Sequence, residues 1–314
     1  MRVVVTGGAG FIGSNLVRSL LSGGNDVLVL DDLSTGKPEN LDPRAGMRTL
    51  DILDDALPGV IAEFAPDAVV HLAAQASVTA SIRDPERDRA VNAEGTRRVA
   101  AAARDAGAKR VISASSAAVY GEPEMLPLPE TARLAPINPY GNSKLEAEGL
   151  LVAELAGTGT DYASFRFSNV YGPRQDAEGE GGVVAIFLAS VHEGRAPVIF
   201  GDGSQTRDFI YVGDVVAAIV AALHAEQPLA PAGDERGAYN VSTGERTSVE
   251  ALVMAVRQAA QYLGPVERAE PREGDIVHSA LDPAKAAERF GWQAAVGLDD
   301  GIAMTWRWYA AQGA

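Results

Sequence analysis

A chain of 314 residues with 46% hydrophobic and 22% charged side chains is long enough to bury a full core, and its net charge of −15 opposes nonspecific binding to nucleic acid or to an acidic membrane. It has no cysteine and only four histidines, which excludes a disulfide framework and a thiolate metal centre, and no metal site is expected. The apolar runs are short and interrupted; neither a signal peptide nor a spanning helix is expected, and cytoplasm is the default location.

The chain opens on a strand, a turn and a helix. Val3-Val4-Val5 is an apolar run, Thr6-Gly7-Gly8-Ala9-Gly10-Phe11-Ile12-Gly13 is the turn, and Ser14 to Leu21 carries apolar residues at helical spacing. A second run, Val27 to Leu30, ends at Asp31-Asp32, so the unit is a βαβ with Gly8-x-Gly10-x-x-Gly13 in its first turn. Gly8 is expected to turn the chain, Gly10 to let a pyrophosphate approach the backbone, and Gly13 to let the helix pack on the sheet. The first-turn amides then face the phosphates with the positive helix end behind them. Asp31, 18 residues past Gly13, stands where a carboxylate accepts hydrogen bonds from an adenosine ribose and repels a 2′-phosphate. That favours NAD over NADP, with Lys37 the one nearby cation on the other side.

Beyond Asp32 the stretch from Leu33 to Asn40 is loop chemistry, and a strand near Met47 to Leu50 leads to Asp51-Ile52 at its end. The segment Pro66 to Ala74 is another strand, with His71 read as a packed residue, and a long helix from Glu86 to Ala106 carries Asn92 and stops at Gly107. The strand Arg110 to Ser116 ends in hydroxyls, as suits the ligand-binding edge of a parallel sheet. After a proline-rich loop, Asn138 is a candidate N-cap with Pro139 at the first helical position, which puts Tyr140 and Lys144 on one helix face. In the second half, Tyr162 to Arg174 reads as a strand running into a loop, Gln175 to Gly182 as a binding loop, and Val183 onward as a helix. Val198 to Asp214 is hairpin-like with Asp214 as the next N-cap, Asp282-Pro283 caps a helix ending at Gly291, and Trp292, Trp306 and Trp308 are packing residues.

The Tyr140–Lys144 pair carries the chemistry. A tyrosine is a weak base at neutral pH, but a neighbouring ammonium and an oxidised nicotinamide both favour the phenolate. Lys144 can also hold the nicotinamide ribose, and Ser116 can hydrogen-bond a substrate hydroxyl or the tyrosine. Such a set takes a proton from an alcohol as hydride leaves its carbon.

Thr-Gly-Gly-Ala-Gly-Phe-Ile-Gly, Ser-Ser-Ala-Ala-Val-Tyr-Gly, Pro-Tyr-Gly-Asn-Ser-Lys and Arg-Asp-Phe-Ile-Tyr-Val-Gly-Asp together resemble the extended short-chain dehydrogenase/reductases, and within them the UDP-glucose (UDP-galactose) 4-epimerases, from Met1 to about Tyr309. The related 4,6-dehydratases carry Thr-Asp-Glu where this chain has Ser116, Ala117 and Ala118, and two alanines cannot replace that acid pair. The resemblance implies an α/β fold. A doubly wound parallel-sheet (Rossmann) NAD-binding domain would take residues 1–168 and 205–228, and a smaller α/β UDP-sugar lobe residues 169–204 and 229–314. It implies catalysis by Ser116, Tyr140 and Lys144. NAD contacts would come from Gly7, Gly10, Phe11, Ile12, Asp31, Asp32, Ser34, Gly36, Asp51, Ile52, Leu72, Ala73, Ala74 and Asn92 as well as the pair. Substrate contacts would come from Ser116, Asn169, Val183, Arg207, Arg272, Asp275 and Ser279, the last of these a small residue that leaves room for an N-acetylhexosamine. UDP-glucuronate is a further candidate substrate, with Arg174 or Arg83 as cation for its carboxylate. A homodimer is the family habit. Two rivals remain, an oxidoreductase of the same fold that releases reduced cofactor and a dinucleotide-sensing protein without turnover.

Overall fold

The computed structural model describes residues 1–177, 182–231, 236–271 and 276–311. Its centre is a parallel sheet of β1 (Arg2–Thr6), β2 (Asp26–Asp31), β3 (Gly46–Thr49), β4 (Ala68–His71), β5 (Arg110–Ser116), β6 (Asp161–Phe167) and β11 (Ala238–Val241), in the spatial order β11-β6-β5-β4-β1-β2-β3. The order reverses between β1 and β4, where a parallel sheet opens a crevice for ligands at its carboxyl edge. Val3 and Val5 pack with α1 (Phe11–Ser22) and α8 (Val212–Leu223), while Val4 packs on the other face with α2 (Leu57–Phe64), α5 (Gly95–Asp105) and α6 (Pro139–Leu155). This is why the strands read as unbroken apolar runs: both faces are covered.

Between β4 and β5 lie α3 (Val78–Arg83) and α4 (Pro85–Arg89), and the helix expected over 86–106 is interrupted by a π-turn at Ala90–Glu94 before α5. Asn92 sits in that turn with its side chain held by the 75–77 loop and α6, and the wider turn accommodates those bonds.

The smaller lobe packs α7 (Val183–His192), α9 (Val249–Ala260) and α11 (Leu298–Ala310) around Phe187, Leu188, Ile199, Leu252, Val256 and Ile302, and α10 (Ala284–Phe290) lies against β11. The expected hairpin over 198–214 does not form. Its parts are β8 (Val198–Phe200), β9 (Thr206–Arg207) and β10 (Phe209–Tyr211), which pair respectively with β13 (Glu267–Ala269), β12 (Thr247–Ser248) and β7 (Asn169–Tyr171). The chain bends between Gly201 and Gly203, both at positive φ, and leaves β8 instead of folding back on it. Asp214 is likewise no N-cap. It is the third residue of α8, buried, and accepts hydrogen bonds from the backbone N–H groups of Ala295 and Val296. Of the expected sugar-lobe stretch 229–314, Ala238–Val241 contributes the edge strand β11 to the large sheet.

Candidate active site

The turn after β1 differs from expectation in one glycine. Gly7, not Gly8, takes the left-handed conformation, at φ +67°, and a Cβ there would lie 2.6 Å from the Ala73 backbone N. Gly8 instead lies against Val29, and Gly13 against the Gly7 carbonyl, where a Cβ would be 2.1 Å away. Gly10 heads α1 with no side-chain cap and no acid in the first turn, so the amides at this positive helix end are left to an anion. Asp31 accepts hydrogen bonds from Ala9 N and Leu33 N, each at 2.9 Å, and lies against Gly36, where a Cβ would clash with its carboxylate. Asp32 accepts from the backbone and hydroxyl of Ser34, shaping the same loop. Leu72 and Ala73 follow β4 with their amides on Thr6 Oγ1, leading to Ala74; Asp51 and Ile52 follow β3. A close-packed glycine turn, an uncapped helix and an ordered acid at a strand end fit a dinucleotide such as NAD.

Two arms cross this edge. Lys37 pairs with Asp176 at 3.2 Å, and Asn15 of α1 donates to Pro173 O and accepts from Arg174 Nη1. The loop after β7 is thereby tied to the cofactor turn, and Arg174 is engaged with α1.

The Asn138 side chain caps α6 by accepting from Gly141 N at 2.8 Å, with Pro139 in the first turn, as expected. Gly141 lets the helix press on the 117–119 turn, since a Cβ there would meet the Ala118 carbonyl at 2.6 Å. That contact brings Tyr140 close to Ser116, whose hydroxyl acts on the phenol. Lys144 is buried one turn on, its Nζ donating to Ala114 O at 3.0 Å and lying 5.9 Å from the Tyr140 ring centre.

The electrostatics differ from expectation. Burial pushes the Tyr140 phenol up, the nearby Ser116 hydroxyl brings it down, and the Asp88 charge adds to the rise. The expected lowering by Lys144 does not figure, and desolvation disfavours the phenolate. Burial also lowers Lys144 to about 8, against the charges of Asp88 and Glu148. His71 is the packed residue expected: Nδ1 lies 2.7 Å from Thr6 Oγ1 and Nε2 3.1 Å from Thr96 Oγ1, and burial, then Lys144, lowers it to about 3. Asn92 is buried, bonded to Gln75, Asp88 and Ser143, and lies beneath the pair.

Of the expected substrate contacts, Ser116 caps the 117–119 turn, Asn169 is exposed on β7, and Val183 opens α7. Arg207 on β9 donates to Thr206 O, and Ser279 N donates to the same carbonyl at 3.1 Å, so Ser279 lies beside β9, next to the isolated bridge of Thr206 with His278. Arg272 and Asp275 lie outside the described residues. Sequence reasoning passed over Asp208, which is fully buried: it accepts from Ser168 Oγ, Thr243 N and Oγ1, Gly244 N and Leu281 N. It also passed over the buried Glu148–Arg166 pair, although Glu148 follows Tyr140 and Lys144 at the same helical spacing.

A dinucleotide cradle beside a Tyr-x-x-x-Lys helix, with a serine at the end of the neighbouring strand, defines the extended short-chain dehydrogenase/reductase class. The chain belongs to the NAD dependent epimerase/dehydratase family, whose model matches residues 3–242. It is 44% identical over 311 residues to the UDP-glucose 4-epimerase of Mycolicibacterium smegmatis, covering 97% of each chain. Its fold superposes with a TM-score of 0.93 on the UDP-glucose 4-epimerase of Thermotoga maritima solved with UDP-glucose, at 38% identity and 100% coverage of both chains. The UDP-N-acetylglucosamine 4-epimerase of Methanobrevibacter ruminantium superposes at a TM-score of 0.92, with 32% identity, covering 99% of this chain and 98% of that one.

Proposed function

We propose that the chain is a 4-epimerase of UDP-hexoses, interconverting UDP-glucose and UDP-galactose through a 4-keto sugar. The observation that carries this reading is Tyr140 close to Ser116 and beside the buried Lys144, at the carboxyl edge of the cofactor sheet and next to Ala117 and Ala118. Tyr140 accepts the proton of the sugar O4, and Ser116 orients that hydroxyl. NAD, when bound, takes up hydride from C4 and returns it. Lys144 favours the phenolate and holds the nicotinamide ribose, and the Gly7–Gly13 turn with Asp31 anchors the rest of the dinucleotide. Arg207 meets the UDP pyrophosphate, with Arg272 and Asp275 as further UDP contacts, so the keto sugar turns over while its nucleotide stays held. Tyr140 then returns the proton, and no acid stands at 117 or 118 to eliminate water.

Ser279 supports a second activity. It adjoins Arg207 and is small, which favours UDP-N-acetylglucosamine as an additional substrate, the substrate named for the Methanobrevibacter relative. UDP-glucuronate ranks lower, because Arg174 is already engaged with Asn15. A cytoplasmic homodimer completes the reading, supported by a cysteine-free sequence and the family habit; light scattering checks the dimer.

NMR of UDP-glucose incubated with the purified protein and no added oxidant tests the assignment. UDP-galactose is the expected product, without net growth of absorbance at 340 nm. Steady growth of that absorbance would make the protein an oxidoreductase, and cofactor binding with every UDP-sugar unchanged would make it a sensor.

A further inference from the structure

Beneath the Tyr140–Lys144 pair lies a carboxylate that the reaction as described does not use. Asp88, on α4, is 1% exposed. Its Oδ1 accepts from Gln75 Nε2 at 2.7 Å and from Asn92 Nδ2 at 3.1 Å, while its Oδ2 is buried without a hydrogen-bond partner. Asn92 in turn donates to Ser143 Oγ, and Ser143 donates to the carbonyl of Tyr140. A chain of bonds thus runs from Asp88 to the backbone of the catalytic helix. A buried carboxylate with one bare oxygen is costly, and its field passes through a poorly screening interior to the nearest cation.

The groups facing that field can be named element by element. His71 on β4 faces Lys144 and is neutral above about pH 3. Glu148, on the same helix as Lys144, is spent on Arg166 of β6: Arg166 Nε and Nη2 donate to its two oxygens at 2.8 and 2.6 Å, and both residues are buried. Tyr140 is a neutral phenol, pushed up by burial. Among the described residues, Asp88 is therefore the acid near Lys144 without an ion pair of its own.

We propose that Asp88 is a positioning residue for the proton-transfer pair, holding Gln75 and Asn92 beneath the site and supplying the negative charge that keeps the buried Lys144 ammonium protonated. The Lys144 charge then serves Tyr140 at the pH where the enzyme works. Asp88 touches neither sugar nor the reacting atoms and acts through Lys144. This rests on the proposed role of Lys144, but its test does not need turnover.

The sequence has four lysines, Lys37, Lys109, Lys144 and Lys285, so protein labelled with ¹³C at lysine Cε gives four signals, and Lys144→Arg identifies the one that matters. Asp88→Asn keeps an oxygen for Gln75 and Asn92 while removing the charge. The expected result is a Lys144 titration midpoint lower by about one pH unit, the usual scale for a close uncompensated charge. The alkaline limb of kcat should move with it, leaving KM for the UDP-sugar unchanged. A midpoint that stays where it is in the wild type overturns the proposal, because a purely structural role would not tie Lys144 to the charge at 88. If Asp88→Asn does not fold, Asp88→Ser removes the same charge and is read the same way. A protein that shifts as expected yet epimerises no UDP-sugar would leave this inference standing and sink the assigned activity.

Discussion

The two halves of the molecule position their site residues in different ways. In the cofactor half, Thr6, Asp31, His71 and Ser116 end adjacent parallel strands, so forming the sheet brings them to one edge together. In the sugar half the strands are two or three residues long apart from one partner in the large sheet, and the segments around β7, β9 and β12 meet at a single buried carboxylate, Asp208. A sheet spreads the work of placement over a ladder of backbone bonds; a pin concentrates it in one side chain. Substitutions in the first half should remove a function locally, and substitutions at the pin should remove structure.

The largest effect expected tests the local side of that contrast. Tyr140→Phe deletes one oxygen and should lower kcat about 10²–10⁴-fold, the usual range for a general acid/base, while NAD stays bound; rapid-quench turnover and cofactor content of the purified variant measure both. A near-normal rate would shift the role to Ser116. Next comes the pin itself. Asp208→Ala strands the amides of Thr243, Gly244 and Leu281 in the interior, at about 1–3 kcal/mol each, so urea denaturation should show at least ~3 kcal/mol lost. Asp31→Ala is the matched control: it frees two amides as well, but its chief effect should be loss of retained NAD, and a similar stability loss in both would erase the distinction between the halves.

The pH profile sharpens the comparison within the cofactor half. Lys144 is lowered from 10.5 to about 8, so its charge is lost to the folded protein first, and kcat should fall as pH rises through about 8. Its effect on stability runs the other way: the unfolded state holds more protons between about 8 and 10.5, so the cost of burying this group is relieved as pH rises across that window. His71, lowered from 6.5 to about 3, should leave no step in the rate near pH 6.5 and should cost stability as pH falls from 6.5 toward 3. Rates and denaturation midpoints over pH 4–10.5 measure all three. The smallest effect expected is in the sugar half: Ser279→Tyr should leave UDP-glucose turnover within a few-fold and abolish activity on UDP-N-acetylglucosamine. Side-by-side rates on both substrates decide it, and an equal loss on both would remove Ser279 from the specificity argument.

This contrast also explains what the sequence reveals. The glycine turn, Asp31, the hydroxyls at the end of β5 and the capped Tyr-Lys helix are local patterns, so each is legible within about twenty residues. The exchange of roles between Gly7 and Gly8 is not, because both lack a side chain and only the approach of Ala73, more than sixty residues away, selects the one that turns. The hairpin reading over 198–214 fails for a similar reason. Alternating apolar residues mark strands without naming partners, and here the partners come from three remote segments. Asp208 sits in a stretch that reads as part of a hairpin, and only the folded structure shows that it ties segments 168, 243 and 281 together.

The edge strand β11 has a consequence in time. The ribosome delivers β4, β5 and β6 in spatial order toward that side, and β6 then waits for Ala238–Val241, which close its free edge and bring Tyr239 against Phe165 at 6.1 Å between ring centres. At roughly 5–20 residues per second, the intervening stretch takes about 4–15 s to make. For that interval a nascent sheet rich in valine and phenylalanine exposes an unpaired strand, the kind of edge that recruits other chains. Slowing synthesis beyond residue 167 should therefore lower the soluble yield of this protein, although Ser116, Tyr140 and Lys144 have already been made.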